Sequence, residues 1–322
     1  MTAAPDASPS PKRVRPRKRD WRTWWRLARR AVDAWLDDFA PSMGAALSYY
    51  TVFSIAPLLV IVIALVGLFY GADAAHKHIF SELGQILGTS TAESLEAILK
   101  NASDSRRSGW TAALGILFML IGATSVLAEL QSSLDRIWRA PAPGSLPGWW
   151  GFIRMRLLSF SMILVLVFLL MVSLVVSASL AAVGRWGTTR FEHWGAVLEV
   201  LNVSVGYLVT AILFAMIYKL LPREHIAWRD VWVGALVTAV LFTIGKYGIG
   251  LYIGKAGVAS AYGAAGSLVV LLVWVYYSAQ IFLLGAEFTW VYTYAMGSRA
   301  GQSPPAAYGI PTRRPPAESP AP

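Results

Sequence analysis

Residues 44–70 read GAALSYYTVFSIAPLLVIVIALVGLFY, a run of 27 residues without a charged side chain. A helix rises about 1.5 Å per residue, so about 20 residues cross the hydrocarbon core of a bilayer. The run is long enough, and it lacks the alternation of polarity that marks a membrane β-strand. It begins at residue 44 and is far longer than the apolar core of a signal peptide, about 7–15 residues. We therefore expect a mature transmembrane helix.

Five further apolar runs follow along the chain. They occupy residues 110–128, 157–183, 196–218, 231–254 and 266–296. The composition agrees with a membrane protein, because 56% of the residues are hydrophobic and 14% are charged, against about 25% charged in soluble domains. The sequence predicts an all-α polytopic membrane protein with six transmembrane helices in a domain that covers residues 41–297.

Lysine and arginine are unevenly distributed between the two sides of these predicted spans. Twenty lie on the side that carries both termini, and seven lie on the opposite side, when Lys246 within a span is left out. Because loops on the cytoplasmic side are enriched in Lys and Arg, both termini are predicted to be cytoplasmic. The net charge of +10 then reflects contact with anionic membrane headgroups rather than with nucleic acid.

The segments outside the spans have distinct compositions. Residues 1–19 are rich in Pro, Ser and basic residues, and residues 298–322 are rich in Pro, so both are predicted to be disordered tails. Residues 20–40 form a predicted amphipathic helix in the inner headgroup layer. An alternative places this helix against the cytoplasmic side of the bundle. The candidate headgroup contacts are Trp24, Trp25, Arg22, Arg26, Arg29 and Arg30.

The loop 71–109 is the longest predicted segment between spans and is expected on the outer side. Ile79, Leu83 and Leu87 have the spacing of one amphipathic helix. Ser90 and Glu93 have the spacing of a capping box that opens a second helix. We therefore expect a helical outer loop in which two short helices form a hairpin over the bundle.

Polar residues inside the apolar runs are the candidates for function, because charges in a membrane are costly. Glu287 lies about 10 Å from the inner end of its span, whereas Lys246 lies about 22 Å deep. A direct pair would have to bridge about 12 Å, so Gln280 is the expected neighbour of Lys246. Glu287 serves either a proton or substrate path or a structural hydrogen bond, and Lys246 either joins the site or snorkels outward. The candidate intramembrane polar site comprises Glu287, Lys246, Gln280, Tyr49, Tyr50 and Glu129.

Two other features concern the shape and motion of the helices. Pro57 lies inside the first span, where it removes a backbone donor and is expected to kink the helix. Gly250 and Gly254 are small residues four apart in the fifth span. They indicate either close helix packing or a hinge.

Soluble enzyme chemistry has no recognisable motif here. There is no cysteine, and we find no nucleophile elbow, phosphate-binding loop or zinc-protease motif. His76 and His78 are two residues apart, whereas a metal-binding pair on a helix is four residues apart. We therefore interpret them, with Glu82, as part of an exposed polar loop. We expect no cofactor, no metal and no enzymatic activity.

Four stretches resemble one known family. They are AALSYYTVFSIAPLL (45–59), AELQSSLDRIW (128–138), LLP (220–222) with WRDVWVGA (228–235), and AYGAAGS (261–267) through GAEF (285–288). In this order they resemble the YihY/BrkB family of bacterial inner-membrane proteins, once mislabelled ribonuclease BN. The positions that match as motif members are Tyr49, Tyr50, Pro57, Asp135, Arg136, Pro222, Gly285 and Glu287.

The resemblance implies six spans, cytoplasmic termini, the inner membrane and an unsettled activity, with no agreed catalytic residues to transfer. Three functions compete. A transporter or flippase of envelope lipids or small solutes uses the intramembrane polar residues. A membrane scaffold for envelope assembly needs only the interfacial helix and the outer loop. A ribonuclease would need an acid–base or metal cluster on the cytoplasmic side, which we do not find, so we disfavour it.

Overall fold

The computed structural model describes residues 21–87, 89–104, 109–140, 194–255 and 265–303, with single residues 157, 161, 164, 165, 168, 172, 262 and 305. Within these residues there are eight helices and no β-strand. They are α1 (Trp21–Asp37), α2 (Ala40–Tyr70), α3 (Ala72–Leu87), α4 (Thr89–Asp104), α5 (Gly109–Ile137), α6 (Trp194–Leu220), α7 (Trp228–Lys255) and α8 (Gly266–Ala295). The all-helical prediction is confirmed for this part of the chain.

Four of the described segments are long and apolar enough to cross a membrane. They are Ala40–Leu68, Val203–Leu220, Trp228–Tyr252 and Gly266–Ala295. Helix α5 contains the predicted span 110–128, but most of its side chains there lie outside the described residues. The predicted tail 1–19, almost all of the span 157–183 and the tail beyond residue 305 also lie outside them.

Helix α2 begins at a sharp turn and continues through a proline. Phe39 precedes it in the left-handed conformation, with φ of 57°, and Pro41 lies in the first turn, where a missing N–H breaks no hydrogen bond. Pro57 lies mid-helix and faces α5 at Gly122, where a Cβ would come within 3.1 Å of the proline ring. Ser54 donates a hydrogen bond to the carbonyl oxygen of Gly122. The proline therefore lies at the close contact between α2 and α5.

Helix α8 is the centre of the bundle. It packs against α1, α2, α5 and α7, and residues 285–291 are all buried, whichever side of the helix they face. A helix that is buried all round belongs to the interior of its fold. Any polar side chain in this stretch must therefore find its partners within the protein.

Helices α7 and α8 approach each other through two glycines. A Cβ at Gly285 would lie 1.9 Å from Oγ1 of Thr238, and a Cβ at Gly234 would lie 1.7 Å from Oγ1 of Thr289. Each threonine hydroxyl donates to the glycine carbonyl one turn earlier in its own helix, at 2.8 Å for Thr238 and 2.7 Å for Thr289. The sequences GALVT and GAEFT thus form a reciprocal contact of the small-residue type that brings membrane helices together.

We call the end of the bundle that carries α1 the α1 end. Polar side chains tie its connections together there. Asp230 accepts hydrogen bonds from the backbone N–H of Ser298 at 3.0 Å and from its hydroxyl at 2.6 Å, just after α8 ends. Arg299 pairs with Glu224 at 2.6 Å. These contacts hold the chain after α8 against the connection between α6 and α7.

The opposite end, the α3–α4 end, has a separate hydrophobic core. Leu59, Val62 and Val66 of α2 are buried there with apolar side chains of α3 and α4. His76 Nε2 of α3 lies 3.6 Å from Glu96 Oε1 of α4, so this histidine links the two short helices. The predicted helical loop 71–109 is thus a packed helical hairpin over its described length.

Candidate functional site

Glu287 is the fully buried carboxyl of the central helix, with 0% of its surface exposed. Gly285 and Thr289 beside it face α7, and the ring of Phe288 stacks on Trp24 of α1 with centroids 6.3 Å apart. Trp24 also stacks on Tyr292, one turn further along α8, at 6.2 Å. Two packed neighbours therefore hold this turn of α8, and Glu287 cannot turn to a lipid-exposed surface.

Asp38 faces Glu287 from the turn between α1 and α2. Helix α1 ends at Asp37, and the left-handed conformation of Phe39 reverses the chain directly after Asp38. Asp38 is 8% exposed, and its carboxyl interacts with that of Glu287. Both carboxyl oxygens of Glu287 and Oδ2 of Asp38 are buried without a well-formed hydrogen bond among the described residues. The two acids are thus neighbours in one buried space.

Arg139 supplies the cation of this space. It follows α5 in the left-handed conformation, with φ of 52°, and its guanidinium lies 4.3 Å from the ring centroid of Trp290. One terminal nitrogen donates to the carbonyl oxygen of Pro305 at 2.6 Å, whereas Nε is buried without a partner among the described residues. Its charge acts on both Asp38 and Glu287. We call Asp38, Arg139 and Glu287 the carboxyl–arginine cluster.

The electrostatics of the cluster are dominated by burial. Burial raises the pKa of Asp38, because desolvation penalises the charged form, and the interactions with Glu287 and Arg139 oppose that rise only in part.

The backbone at Phe39 and Arg139 is also unusual, since residues other than glycine reach the left-handed region at a cost of about 1–2 kcal/mol. Glycine is the usual residue after a helix end.

Several indole groups around the cluster are also unpaired. The Nε1 atoms of Trp35, Trp138 and Trp290 are buried and have no hydrogen-bond partner in the parts of the chain that the structure describes. A buried polar group without a partner costs about 1–3 kcal/mol, and native folds contain few of them. This concentration at the α1 end distinguishes it as a candidate site.

Gln280 lies on the same side of α8 as Glu287, two turns away. Its Nε2 is 3.5 Å from the carbonyl oxygen of Pro41, and its amide fills the space beside Gly44. It therefore faces the start of α2. The expectation that it neighbours Lys246 is wrong, because Lys246 is exposed on α7 and its Nζ lies over the ring of Tyr247 at 5.3 Å.

The remaining candidates of the polar site do not join the cluster. Tyr49 and Tyr50 are 59% and 39% exposed and contact each other and Phe53 on the surface of α2. Glu129 is half-buried on α5. Of the six residues proposed from the sequence, the structure brings together Glu287 and Gln280 against the turn that leads from α1 into α2.

The candidate hinge and headgroup residues have mixed surroundings. A Cβ at Gly250 would meet nothing within 4 Å among the described residues. Gly254 lies near the end of α7. Trp25 and the four arginines of α1 are exposed, whereas Trp24 packs on α8. Trp24 is half-buried by this contact, and its role as a headgroup contact stays a prediction.

Asp38 and Arg139 were missed from the sequence as members of a site. Both stand at the edges of predicted spans, where charged residues are ordinary, and Arg139 counts there as one more positive-inside charge. The available signal was an acidic pair, Asp37 and Asp38, next to a first span on a side rich in arginine. Glycine is the usual sequence signal for a left-handed turn, and the two turns that direct these side chains inward contain Phe39 and Arg139 instead.

The fold and the cluster define an all-helical membrane protein with a buried charged site at one end of its central helix. The family profile described as "Virulence factor BrkB" matches residues 31–309. The chain belongs to this family, as the resemblance of its motifs indicated.

Curated relatives carry the same kind of description. A "UPF0761 membrane protein" of Tolumonas auensis is 28% identical over 259 residues, which cover 78% of this chain and 80% of that protein. One of Ralstonia nicotianae is 30% identical over 259 residues, 78% of this chain but 55% of its own length. The chain thus spans little more than half the length of some of its relatives. No solved structure matches the chain significantly.

Proposed function

We propose that the protein moves an envelope lipid or a small solute across the bacterial inner membrane, by transport or flipping, without an enzymatic step. The observation that carries this proposal is the carboxyl–arginine cluster. A scaffold role does not require a fully buried carboxyl in the central helix whose oxygens have no hydrogen-bond partner among the described residues. Charged groups inside membrane domains usually face a substrate or ion pathway.

The proposed topology has six spans with both termini in the cytoplasm. It is supported by the asymmetry of Lys and Arg, and it places the α1 end at the cytoplasmic surface. Because the chain has no cysteine, single cysteines can report sidedness. An impermeant maleimide should label Lys77→Cys in spheroplasts, but Ser303→Cys only after permeabilisation. Labelling of both from one side would refute this topology.

Helix α1 is proposed to lie at the cytoplasmic headgroup layer. One side packs on α8, an exposed apolar sector of about 60° follows, and an arginine-rich sector adjoins it. The apolar sector comprises Trp21, Trp25, Val32 and Leu36, and the charged sector contains Arg22, Arg26, Arg29 and Arg30. This arrangement combines both earlier alternatives, because the helix can contact the bundle and anionic lipid at once.

Spin labels test this placement in the whole protein. In liposomes with anionic lipid, a label at Trp25→Cys should respond to a lipid-soluble relaxing agent, and a label at Arg29→Cys to a water-soluble one. Equal exposure of both labels to the water-soluble agent would contradict the placement.

The function itself is tested by reconstitution. Purified protein in liposomes should accelerate lipid scrambling or the flux of a small solute, and Glu287→Gln should abolish this while the protein keeps its elution profile in gel filtration. Asp33→Asn is the matched control, since Asp33 is an exposed carboxyl of α1. An inactive wild-type protein across a panel of envelope lipids and solutes would favour the scaffold instead.

A further inference from the structure

The carboxyl–arginine cluster contains more acid than base. Two carboxyl groups, Asp38 and Glu287, are buried, and one half-buried guanidinium, that of Arg139, acts on both. If both acids were ionised, the buried space would hold a net negative charge in a low-dielectric interior, where like charges repel strongly. Two carboxyl groups that share such a space ionise one at a time.

Among the described residues, the surrounding charges do not remove this imbalance. Asp37 of α1 and Arg136 of α5 also act on the cluster, but both are exposed to solvent and carry opposite charges. The guanidinium of Arg136 lies 5.9 Å from the ring centroid of Phe39, which is itself exposed. Beside this turn of α8, the hydroxyls of Thr238 of α7 and Tyr218 of α6 lie against Gly285.

The unpaired carboxyl oxygens of the cluster indicate that one of its acids is protonated. Both oxygens of Glu287 and Oδ2 of Asp38 accept no well-formed hydrogen bond among the described residues. A proton on one carboxyl would convert this repulsive contact into a charge-assisted hydrogen bond, which is among the strong kinds. A proton also needs no cavity of its own, and the buried turn around Glu287 is closely packed.

We propose that Asp38 and Glu287 share one exchangeable proton, and that this proton is the coupling ion of the transport cycle. The shared proton stands on the cluster itself, whereas its part in coupling rests on the proposed function. When the proton leaves to the α1 side, two carboxylates face one guanidinium. Their repulsion then favours separation of the α1–α2 turn from α8. Rebinding of a proton restores the hydrogen bond and closes the turn onto α8 again.

The position of the acids fits such a device. Asp38 lies on the turn between α1 and α2, whereas Glu287 lies on the helix that contacts α1, α2, α5 and α7. A change in their contact therefore changes the fit of the first long helix on the central one. Gln280, which faces Pro41 and Gly44 two turns away along α8, lies on the same contact.

The first arm of the test detects the shared proton without any transport assay. Infrared spectra of the full-length protein in liposomes are recorded over a pH titration in H₂O and D₂O. We expect a band from a protonated carboxyl that shifts in D₂O and disappears as the pH rises. Asp38→Asn and Glu287→Gln should each remove the band, because the remaining acid then pairs with Arg139, whereas Asp33→Asn should keep it. Thermal unfolding of each variant confirms that it is folded.

The second arm measures coupling. In proteoliposomes, wild-type flux should change several-fold when a pH gradient is imposed, whereas the remaining flux through Asp38→Asn should not respond to the gradient. Absence of the band from the wild type, or its survival in both variants, overturns the shared proton. Flux that ignores the gradient while the band is present overturns the coupling. Absence of all flux refutes the proposed function, and the infrared arm still decides whether the proton is shared.

Discussion

The two ends of the α7–α8 pair are built differently. At the α1 end, Gly234 and Gly285 let the helices touch so closely that no Cβ fits. Toward the other end of α7, Gly248 and Gly250 have open space around them in the described structure. The same residue type thus serves a tight contact at one end and no contact at the other. Gly245, at the start of the glycine-rich stretch of α7, packs closely against α8, so the open part begins only after it.

Two charged residues inside the apolar parts of these helices, Glu287 and Lys246, follow a similar division. Glu287 lies in the tight end, where its neighbours on α1 and α7 hold it inside the protein. Lys246 lies beyond that end, on an exposed face. A charge in an apolar helix is therefore part of a site only where packing closes around it. The following predictions test this contrast, from the largest expected effect to the smallest.

The tight contact should not tolerate a side chain. Gly285→Val places atoms where Thr238 and Tyr218 already lie, so we expect destabilisation of about 4 kcal/mol and little folded protein. Gly250→Ala is the matched change in the open part of α7, where it should be neutral or stabilising because alanine favours helix. Yield after gel filtration and thermal unfolding in detergent measure both. Equal tolerance at the two positions would remove the contrast.

Removal of the one cation of the cluster should be the next largest effect. Arg139→Gln removes the cation that acts on the buried Asp38 and Glu287, and leaving buried charge uncompensated costs about 3 kcal/mol. Adding Glu287→Gln should restore part of the loss, because one acid fewer remains to be neutralised. The cycle is measured as unfolding free energies. Simple additivity of the two changes would show that the groups do not interact.

The two neighbouring tryptophans of α1 should differ. Trp24→Ala removes the stacking of the indole ring on Phe288 and Tyr292. We expect the free energy of unfolding to fall by about 2 kcal/mol, less than for a fully buried tryptophan. Trp25, which is 66% exposed, should cost little stability when replaced by alanine but should weaken binding of α1 to anionic vesicles. A similar loss of stability for both would show that α1 is not oriented by its contact with α8.

The smallest effect concerns pH. Burial raises the pKa of Asp38, so the folded state holds this proton more tightly than the unfolded state. Stability from this group is complete below the ordinary Asp pKa, about 3.9, and is lost as the pH rises through the raised value. Compared with Asp38→Asn, the wild type should therefore lose stability with rising pH.

Another acid contributes equally to both proteins in that comparison. Burial also raises the pKa of Asp135, although its contacts with Arg223 oppose the rise, and its contribution cancels in the difference between the two unfolding curves. Parallel pH profiles of wild type and Asp38→Asn would contradict a buried, proton-binding Asp38.

Individual residues show how far the sequence led toward the site. Glu287 was found because a carboxyl inside a long apolar run is rare and costly. Its partner Asp38 was not found, because an acidic residue outside the apolar runs does not stand out in the sequence. It becomes buried only when α1 packs along α8. Lys246 was selected by the same rule as Glu287, but no local signal tells which side of a helix is covered by protein and which by lipid.

The sequence by itself determined that this is a membrane protein, to which family it belongs and where its described long helices lie. The length of an apolar run must match the thickness of the bilayer, and short motifs are shared with relatives. It also determined that both GALVT and GAEFT are present, but not that they face each other. The tertiary structure alone decided the pairing of these motifs and the meeting of Asp38, Arg139 and Glu287. The physical reason is that such contacts depend on helix rotation and on two left-handed turns, at Phe39 and Arg139, which run against the local preferences of those residues.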